Sequence, residues 1–488
     1  MIATILATAL SLASDVDRTQ APPAAQEPSW LAPAPVSFAA AGMEGLLIER
    51  HELPIVELMI GWYLGDVLDP PGKDGMHALC IDLIGESTKD LDNSALADRK
   101  ADVGAAIGIG AGRESAQMTL RATKANLPAA LDLAMMLLRE PGLRSEDLER
   151  LRSQRKASVM QSRGNADAAA GRVFAPVMYG FSHPYGHLVT EKSLDAVSQQ
   201  DCARIAKQLR PVGAHLLVVG DVTAREMAEL FSQRTLTWQG KAPVRTRVGP
   251  PQAALDGKAK ATVYFVDVPD AAQSRVIVAH HGPGRAESDY YATTLMAQVL
   301  GGGIPSRLVQ NLRERNGYTY GVSARYAYAR SGSVMTIASS VRTDVTAKAL
   351  IEVMSELKGL AQRPASADEI SREREGTVRA LPSRFGNGSQ TLASLWELVF
   401  FDLPLDSFAK LPSEVNAVDE PAVQAAVRSR LRSDDLTVVV AGDKAKVLPE
   451  LEGLARDQLF AAHGLVIVDA DGRCPCARVN ARPTCAPC

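Results

Sequence analysis

The chain has 488 residues, of which 53 are basic and 56 are acidic, so its formal net charge is −3. With 46% hydrophobic and 22% charged residues, it has the composition of a globular protein long enough for roughly three domains. The balanced charge, and the lack of a basic cluster interleaved with aromatic residues, argue against a nucleic-acid-binding protein.

The chain starts with an apolar run at residues 2–13, which the polar, proline-rich stretch DVDRTQAPPAAQEP follows. This order is typical of a signal peptide, although no basic residue precedes Arg18; an Ala-rich disordered start is the alternative. The run is too short to span a bilayer, and no later stretch of the chain is long and apolar enough. We therefore expect residues 1–33 to be a signal peptide and linker, and the protein to be periplasmic or secreted without a stable membrane span.

Two segments of the chain repeat one order of predicted elements. An apolar strand that begins at Pro54 precedes a helix at Met76, and a second strand from Ser274 precedes a helix at residues 289–300. Strands separated by long helical patterns, without tight βαβ alternation, are typical of α+β layers. We therefore predict an α+β fold in which each segment forms a sheet covered by helices. In the helix predicted after residue 144, Ser145 is expected to be the N-cap.

The spacing of the repeated elements indicates a duplicated domain. The interval from Val56 to Val276 on the first strands is nearly the same as the interval from Asp221 to Asp443 in two Gly-Asp turns. Residues 240–260 are rich in Pro, Gly and Ala, as a linker is. The predicted divisions are therefore a domain at 34–239, a linker at 240–260, a second domain at 261–455 and a Cys-rich tail at 456–488.

The six cysteines fall into two groups. Cys80 and Cys202 stand alone in helical patterns and are predicted to be small buried apolar side chains. The other four crowd the proline-rich end of the chain, where disulfides, disorder or a zinc site of four thiolates remain open as interpretations. These four are Cys474, Cys476, Cys485 and Cys488.

Several motifs resemble the pitrilysin/insulinase family of inverzincin peptidases. They are GDVLDPPGKDGMHALCIDLIGEST, the strand ends VVGD and VVAGD, HPYGH at His183, and LGGGIPSRLVQNLRERNGYTYGVSARY. The likeness runs from about Pro35 to Leu454. It is specific, because several motifs fall in the right order and at the right spacing in both halves. It implies two homologous α+β domains in tandem, which form half of a clamshell peptidase around an inner chamber where a single zinc ion cuts peptides.

The zinc-binding motif of that family, H-x-x-E-H, is missing from the matching helix. Two histidines four apart share a helix face and hold the metal, and the glutamate between them activates a water molecule. Here Ala78 stands at the first histidine, Ile81 at the glutamate and Asp82 at the second histidine. The downstream glutamate is expected near residues 155–158, where QRKAS supplies no acid. The resemblance therefore implies no metal and no catalytic residue in this chain.

No other histidines replace the missing ligands. Met76, Leu79 and Cys80 belong to an apolar stripe, so Cys80 beside His77 is expected to be core. Pro and Gly between two further histidines predict a turn, and adjacent histidines in a strand point to opposite sides. These pairs are His183 with His187, and His280 with His281.

A second signature of the family is intact in NLRERNGYTYGV, where Arg313 precedes Tyr320 by seven residues. The resemblance implies that this pair binds substrate. A guanidinium and a phenol can donate to a carbonyl oxygen and to the negative charge that develops on it. The glycines of LGGGIPSRL lack the pattern of a phosphate loop and are expected to end one helix, as a flexible wall of the chamber.

These observations predict a non-catalytic subunit of an exported heterodimeric zinc metallopeptidase. Arg313 and Tyr320 would act at the zinc of a homologous partner, and extended peptides would bind partly by strand addition. Alone, the chain is expected to be inactive. The alternatives are a non-proteolytic peptide-binding or assembly protein, and a hydrolase acting through Asp82, Glu86 and His77, which lack convergent ligand geometry.

Overall fold

The computed structural model describes residues 30–235, 262–456 and 464–474, together with Trp238, Gly240, residues 248–249 and the strands at 477–479 and 482–484. The predicted signal peptide, most of the predicted linker and three of the tail cysteines, Cys476, Cys485 and Cys488, lie outside the described residues. From Ala32 onward the chain forms one compact unit.

The N-terminal sheet has six strands in the order β1-β2-β6-β3-β5-β4. Strands β2 and β6 are parallel, and the other neighbours are antiparallel. The strands are β1 Val36–Ala40, β2 Met43–Glu49, β3 Ile55–Trp62, β4 Ala106–Ala111, β5 Ala116–Thr123 and β6 His215–Gly220.

The C-terminal sheet has six strands in the order β12-β7-β11-β8-β10-β9. Its strands are β7 Thr262–Asp267, β8 Gln273–Gly282, β9 Thr319–Ala329, β10 Gly332–Arg342, β11 Thr437–Gly442 and β12 Leu465–Val468. Five strands repeat the order of the first sheet, but β1 is an antiparallel edge whereas β12 is a parallel edge. Strand β12 lies inside the segment 456–488 that the sequence predicts to be a Cys-rich tail. A further pair, β13 Ala477–Val479 and β14 Arg482–Thr484, is antiparallel.

Helices accompany each sheet. In the N-terminal half they are α1 Met76–Glu86, α2 Asn93–Val103, α3 Leu127–Arg139, α4 Ser145–Arg163, α5 Ala166–Tyr179, α6 Glu191–Asp195, α7 Gln199–Ala206 and α8 Ala224–Arg234. In the C-terminal half they are α9 Tyr290–Gly301, α10 Thr346–Gln362, α11 Ala367–Ala380, α12 Gly388–Phe400, α13 Ser407–Asn416, α14 Glu420–Arg430 and α15 Lys444–Arg456. The sheets and helices confirm the predicted α+β class. Arg144, not Ser145, occupies the N-cap of α4.

Each half contributes one helix to the sheet of the other half. Helix α5 packs its small apolar residues, among them Ala169 and Val173, on Val439 and Ile277 of the C-terminal sheet. Helix α12 packs on β3 and β6 of the N-terminal sheet, where a Cβ at Gly61 would lie only 2.2 Å from the Trp396 ring. The two sheets are therefore covered on one face by their own helices and on the other by a helix from the opposite half.

A disulfide joins α1 to α7. Cys80 and Cys202 are fully buried, as the sequence predicts, but they are bonded to each other across 122 residues. The prediction that they are simple buried apolar side chains is therefore wrong. The pairing was hidden in the sequence because it depends on α7 packing against α1, which local patterns do not reveal.

Candidate functional site

Helix α1 carries the positions that a zinc-binding member would use, and their side chains do not fit a zinc ion. Ala78 and Ile81 are both buried, and Ile81 belongs to the hydrophobic core of the N-terminal half. Asp82, the remaining possible ligand, accepts a hydrogen bond from Arg155 of α4, with 2.5 Å between Nη2 and Oδ2. Arg155 lies where the downstream glutamate was expected, so an ion pair joins the two helices that the metal would join in a zinc-binding half.

The N-terminus of α1 is held by two carboxylates that the sequence did not single out. Asp69 is buried and accepts the backbone N–H groups of Gly75, Met76 and His77 at 2.7 to 3.0 Å. Asp66 accepts the N–H of Ala78 at 3.1 Å. Burial and the nearby Asp69 charge raise the pKa of Asp66 to about 6.

The other histidines in the described part of the chain do not form a metal site. The Nδ1 atom of buried His77 lies 2.6 Å from Asp69 Oδ1, and Cys80 is occupied by its disulfide. His183 and His187 flank the short 3-10 turn Pro184–Gly186, as predicted. Within the part of the chain that the structure describes, no three His, Cys, Asp or Glu side chains come together in a group that could hold a metal.

Arg313 and Tyr320 lie next to each other on the surface. The Arg313 guanidinium carbon is 5.7 Å from the centre of the Tyr320 ring, within the range of a cation–π contact. Tyr320 is 91% exposed, and the Arg313 side chain is 41% exposed, with Glu314 Oε1 at 3.4 Å from its Nε. Both donor groups are thus open to a molecule that approaches from outside.

Arg313 lies on an irregular helical turn. Residues Val309–Arg315 form a π-helical segment, in which Asn316 N–H donates to the carbonyl of Asn311, five residues earlier. Asn316 is the C-cap of the turn, and Gly317 follows with a φ of +63°, a left-handed conformation that glycine adopts without strain. Such π-type turns often occur at functional sites. The sequence identified Arg313 as a candidate but did not predict the π-type turn that carries it.

Tyr320 lies at a second irregularity, a β-bulge. The pairing of β9 with β10 shifts between Ser339 and Val341, which leaves Tyr320 outside the regular register. The Thr319 hydroxyl donates to the Ser340 carbonyl at 2.7 Å and accepts from the Ser339 hydroxyl at 2.9 Å. Bulges commonly redirect a side chain beside an active site. Two departures from regular backbone therefore present Arg313 and Tyr320 together.

Neither of two sizeable cavities of the described chain includes this pair. One cavity of about 740 Å³ lies between Arg285, Tyr290 and α13, and another of about 860 Å³ lies between β2 and the end of α12. With Tyr320 91% exposed, the pair lies on the surface of the chain. None of the described helices is long and apolar enough to cross a membrane.

Comparison with known proteins gives a family match for part of the chain and relatives that match more of it. Residues 202–377 match the family model described as "Peptidase M16 inactive domain", and this segment contains both Arg313 and Tyr320. The "Non-peptidase homolog YmxG" of Helicobacter pylori is 20% identical over 405 residues, which are 82% of this chain and 91% of that protein. The "Uncharacterized zinc protease ML0855" of Mycobacterium leprae is 27% identical over 222 residues, or 44% of this chain and 48% of that protein.

Solved structures share the fold. A peptidase M16 inactive domain from Pseudomonas fluorescens superposes with a TM-score of 0.76 at 22% identity, covering 84% of this chain and 98% of that one. The family-model match, the fold and the altered α1 positions agree with one another. Over residues 202–377 the chain matches the inactive domain of peptidase M16, and over most of its length it resembles pitrilysin-like proteins that include a non-peptidase member.

Proposed function

We propose that this chain is the non-catalytic subunit of a two-chain zinc peptidase, in which Arg313 and Tyr320 contact the peptide at the zinc of a homologous partner. The observation that carries the proposal is the joint presentation of the two side chains by a π-type turn and a β-bulge. Irregular backbone is retained where the surrounding structure holds it, and it is frequent at functional sites.

The chemistry of the pair suits a peptide carbonyl. The guanidinium is a permanent cation with N–H donors in a fixed plane, and the Tyr320 phenol adds one O–H donor. Both can donate to the carbonyl oxygen and to the negative charge that develops on it during attack. Because Tyr320 is exposed in the isolated chain, a partner subunit would have to exclude water before these bonds reach full strength.

Extended peptides are the substrate class that the sheets favour. Strands β4 and β9 lie at the edges of their sheets and present unpaired backbone groups. Gly108 and Gly110 of β4 place no side chain along that edge, and β9 begins beside Tyr320. A peptide can add to such an edge through main-chain hydrogen bonds.

The buried disulfide supports an exported protein. Disulfides form and persist in oxidising compartments such as the periplasm, and are rare in reducing cytosol. Cys80 and Cys202 therefore agree with the predicted signal peptide, although that segment lies outside the described residues. We infer a periplasmic or secreted location.

A non-proteolytic binding or assembly protein is the second candidate. It is favoured by the relative from Helicobacter pylori that is named a non-peptidase homolog and matches most of this chain. In that case Arg313 and Tyr320 would contact a bound polypeptide or subunit without affecting any cleavage.

The test mixes this chain with a homologous H-x-x-E-H subunit and measures peptide turnover. Arg313→Ala or Tyr320→Phe should lower kcat by about 10²-fold, the usual effect of one lost donor to a developing oxyanion. Sedimentation should show that the two-chain complex still forms. Arg225→Ala on α8 and Tyr264→Phe on β7 are matched controls, because they change the same residue types on elements other than those that carry the pair, and they should leave turnover unchanged.

Wild-type turnover with both pair variants, in complexes that still assemble, would contradict the proposal and favour the assembly protein. One zinc held tightly by this chain alone and lost in Asp82→Ala would contradict it as well, because Asp82 is paired with Arg155 in this chain.

A further inference from the structure

We propose that Asn311 is a positioning residue for Arg313, acting through the π-type turn that carries it. This inference rests on the proposed role of Arg313 and adds a buried residue that touches neither substrate nor metal. The side chain of Asn311 is 3% exposed and uses all of its hydrogen-bonding groups within the fold.

Asn311 fastens the turn to helix α10. Its Nδ2 donates to Glu352 Oε2 and to Glu356 Oε1, each at 2.8 Å. Both glutamates lie on α10, so one amide joins the turn to the neighbouring helix at two points. Hydrogen bonds to charged acceptors are roughly twice as strong as neutral ones.

Asn311 also closes the turn on itself. The Nδ2 of Asn316 donates to Asn311 Oδ1 at 2.7 Å, and the backbone N–H of Asn316 donates to the Asn311 carbonyl at 3.1 Å. Arg313 lies between these two residues in sequence. The position of its Cα is therefore fixed by a segment whose ends, Asn311 and Asn316, are bonded to each other, and Asn311 is also bonded to α10.

An ordinary α-turn would point Arg313 in another direction. In a π-type turn the bonds span five residues instead of four, which rotates each later side chain around the helix axis. If the bonds of Asn311 are removed, we expect residues 309–315 to relax toward α-helical bonding. Arg313 would then lie away from Tyr320, and a displacement of about 1 Å at a reacting group can cost about 10²-fold in rate.

The charges around Asn311 make its replacement by aspartate informative. Glu352 and Glu356 face it from α10, and Arg363 lies 3.7 Å from Glu356 Oε2. The turn itself carries Arg313 and Arg315 near its end. In Asn311→Asp, three carboxylates would meet, and the amide N–H groups that now bond the turn to α10 would be gone. Repulsion between the like charges would push the turn away from α10. A proton shared among the three would restore one O–H donor, which becomes favourable as the pH falls.

The experiment measures kcat and KM of the two-chain enzyme from pH 5.5 to 8 with wild-type, Asn311→Asp and Asn311→Leu chains. For each variant, kcat and KM are divided by the wild-type values at the same pH. This ratio cancels the pH dependence of the partner. At pH 8, both variants should lower kcat by tenfold or more with KM changed by less than threefold. The ratio for Asn311→Asp should recover as the pH falls, while that for Asn311→Leu should stay low throughout.

Controls separate this inference from the proposed function. Asn126→Leu removes a side-chain amide bond in the N-terminal half and should leave kcat unchanged. If Arg313→Ala lowers kcat but both Asn311 variants keep wild-type kcat, the positioning role is wrong and the proposed function stands. If Arg313→Ala itself keeps wild-type turnover, the proposed function is wrong. Equal, pH-independent losses in both Asn311 variants would show a structural role and overturn the inference.

Discussion

At the scale of single residues, Arg155 and Asp82 form an ion pair at two positions where the family resemblance places metal ligands in a zinc-binding member. A metal would need ligands from both α1 and α4. Here a guanidinium from α4 meets the one carboxylate on α1 at 2.5 Å. Since both side chains are about one-third exposed, the pair contributes little free energy, but it leaves no unpaired charge between the helices. The sequence showed that the ligands were missing, but not that Arg155 would face Asp82, because the pairing depends on how two helices that are distant in sequence pack together.

Asp66 carries a stability cost that depends on pH. Its carboxyl group has a pKa of about 6 in the folded chain against 3.8 in the reference state, so folding favours its protonated form. The charge therefore destabilises the fold above about pH 6, and the cost disappears as the pH falls below about 4. Asp66→Asn keeps an oxygen for the Ala78 N–H and removes the charge. It should raise the free energy of unfolding at pH 7.5 by on the order of 1 to 3 kcal/mol.

The measurement is urea denaturation of the wild type and Asp66→Asn at pH 7.5 and pH 4.5. The difference in their free energies of unfolding should be larger at pH 7.5 than at pH 4.5. Asp92→Asn is the matched control, because Asp92 caps α2 through the Ala95 N–H in an exposed position and should show no such gain. A variant less stable than wild type at pH 7.5 would mean that the Asp66 charge helps to hold α1.

At the scale of secondary-structure elements, regular elements were predicted closely and irregular ones were not. Helix α9 was expected at 289–300 and is found at Tyr290–Gly301, since its apolar period and the glycines that end it are local signals. The π-type turn and the bulge were missed. Each depends on bonds to distant residues, such as Asn311 to Glu356 on α10, and a local pattern contains no information about them.

The disulfide between α1 and α7 should contribute strongly to the free energy of unfolding. Cys80 and Cys202 are 122 residues apart in sequence, so their bond removes many conformations from the unfolded chain. Cys80→Ala with Cys202→Ala should lower the free energy of unfolding by about 2 to 5 kcal/mol, the usual range for removing a native disulfide. Because both side chains are buried, loss of packing adds to this effect.

Denaturant unfolding of both proteins, with and without reductant, checks this expectation. Reductant should destabilise the wild type more than the double variant, because only the wild type has this bond to lose. Mass spectrometry of a non-reduced digest should recover the two cysteine peptides joined. Two free thiols at positions 80 and 202 in protein purified from an oxidising compartment would contradict the assignment.

At the scale of the whole molecule, the exchanged helices make two similar halves into one folding unit. The repeat was visible in the sequence, because Val56 and Val276 carry the same strand pattern at corresponding places in the two halves. The exchange was not visible, because α5 and α12 have ordinary apolar faces whether they cover their own sheet or another. The sheet that each helix covers is identified by contacts in the folded chain. Helix α5 lies over Val439, and Trp396 of α12 lies over Gly61.

This arrangement predicts that neither half folds alone. Without α12, the N-terminal sheet would expose its face around Gly61 and Tyr63, and would lose the bond from the Tyr63 hydroxyl to the Val399 carbonyl. Without α5, the C-terminal sheet would expose Val439 and Ile277. A chain divided between residues 250 and 251 should give two fragments that each aggregate or unfold when made separately. Made together, they should associate and melt in a single transition, as the intact chain should, because each fragment supplies the helix that the other lacks.

Calorimetry and size-exclusion chromatography of the separate and combined fragments provide the measurement. A cooperative melt of either fragment by itself would show that the exchanged helix is dispensable, and that the two halves are independent domains joined only by their linker.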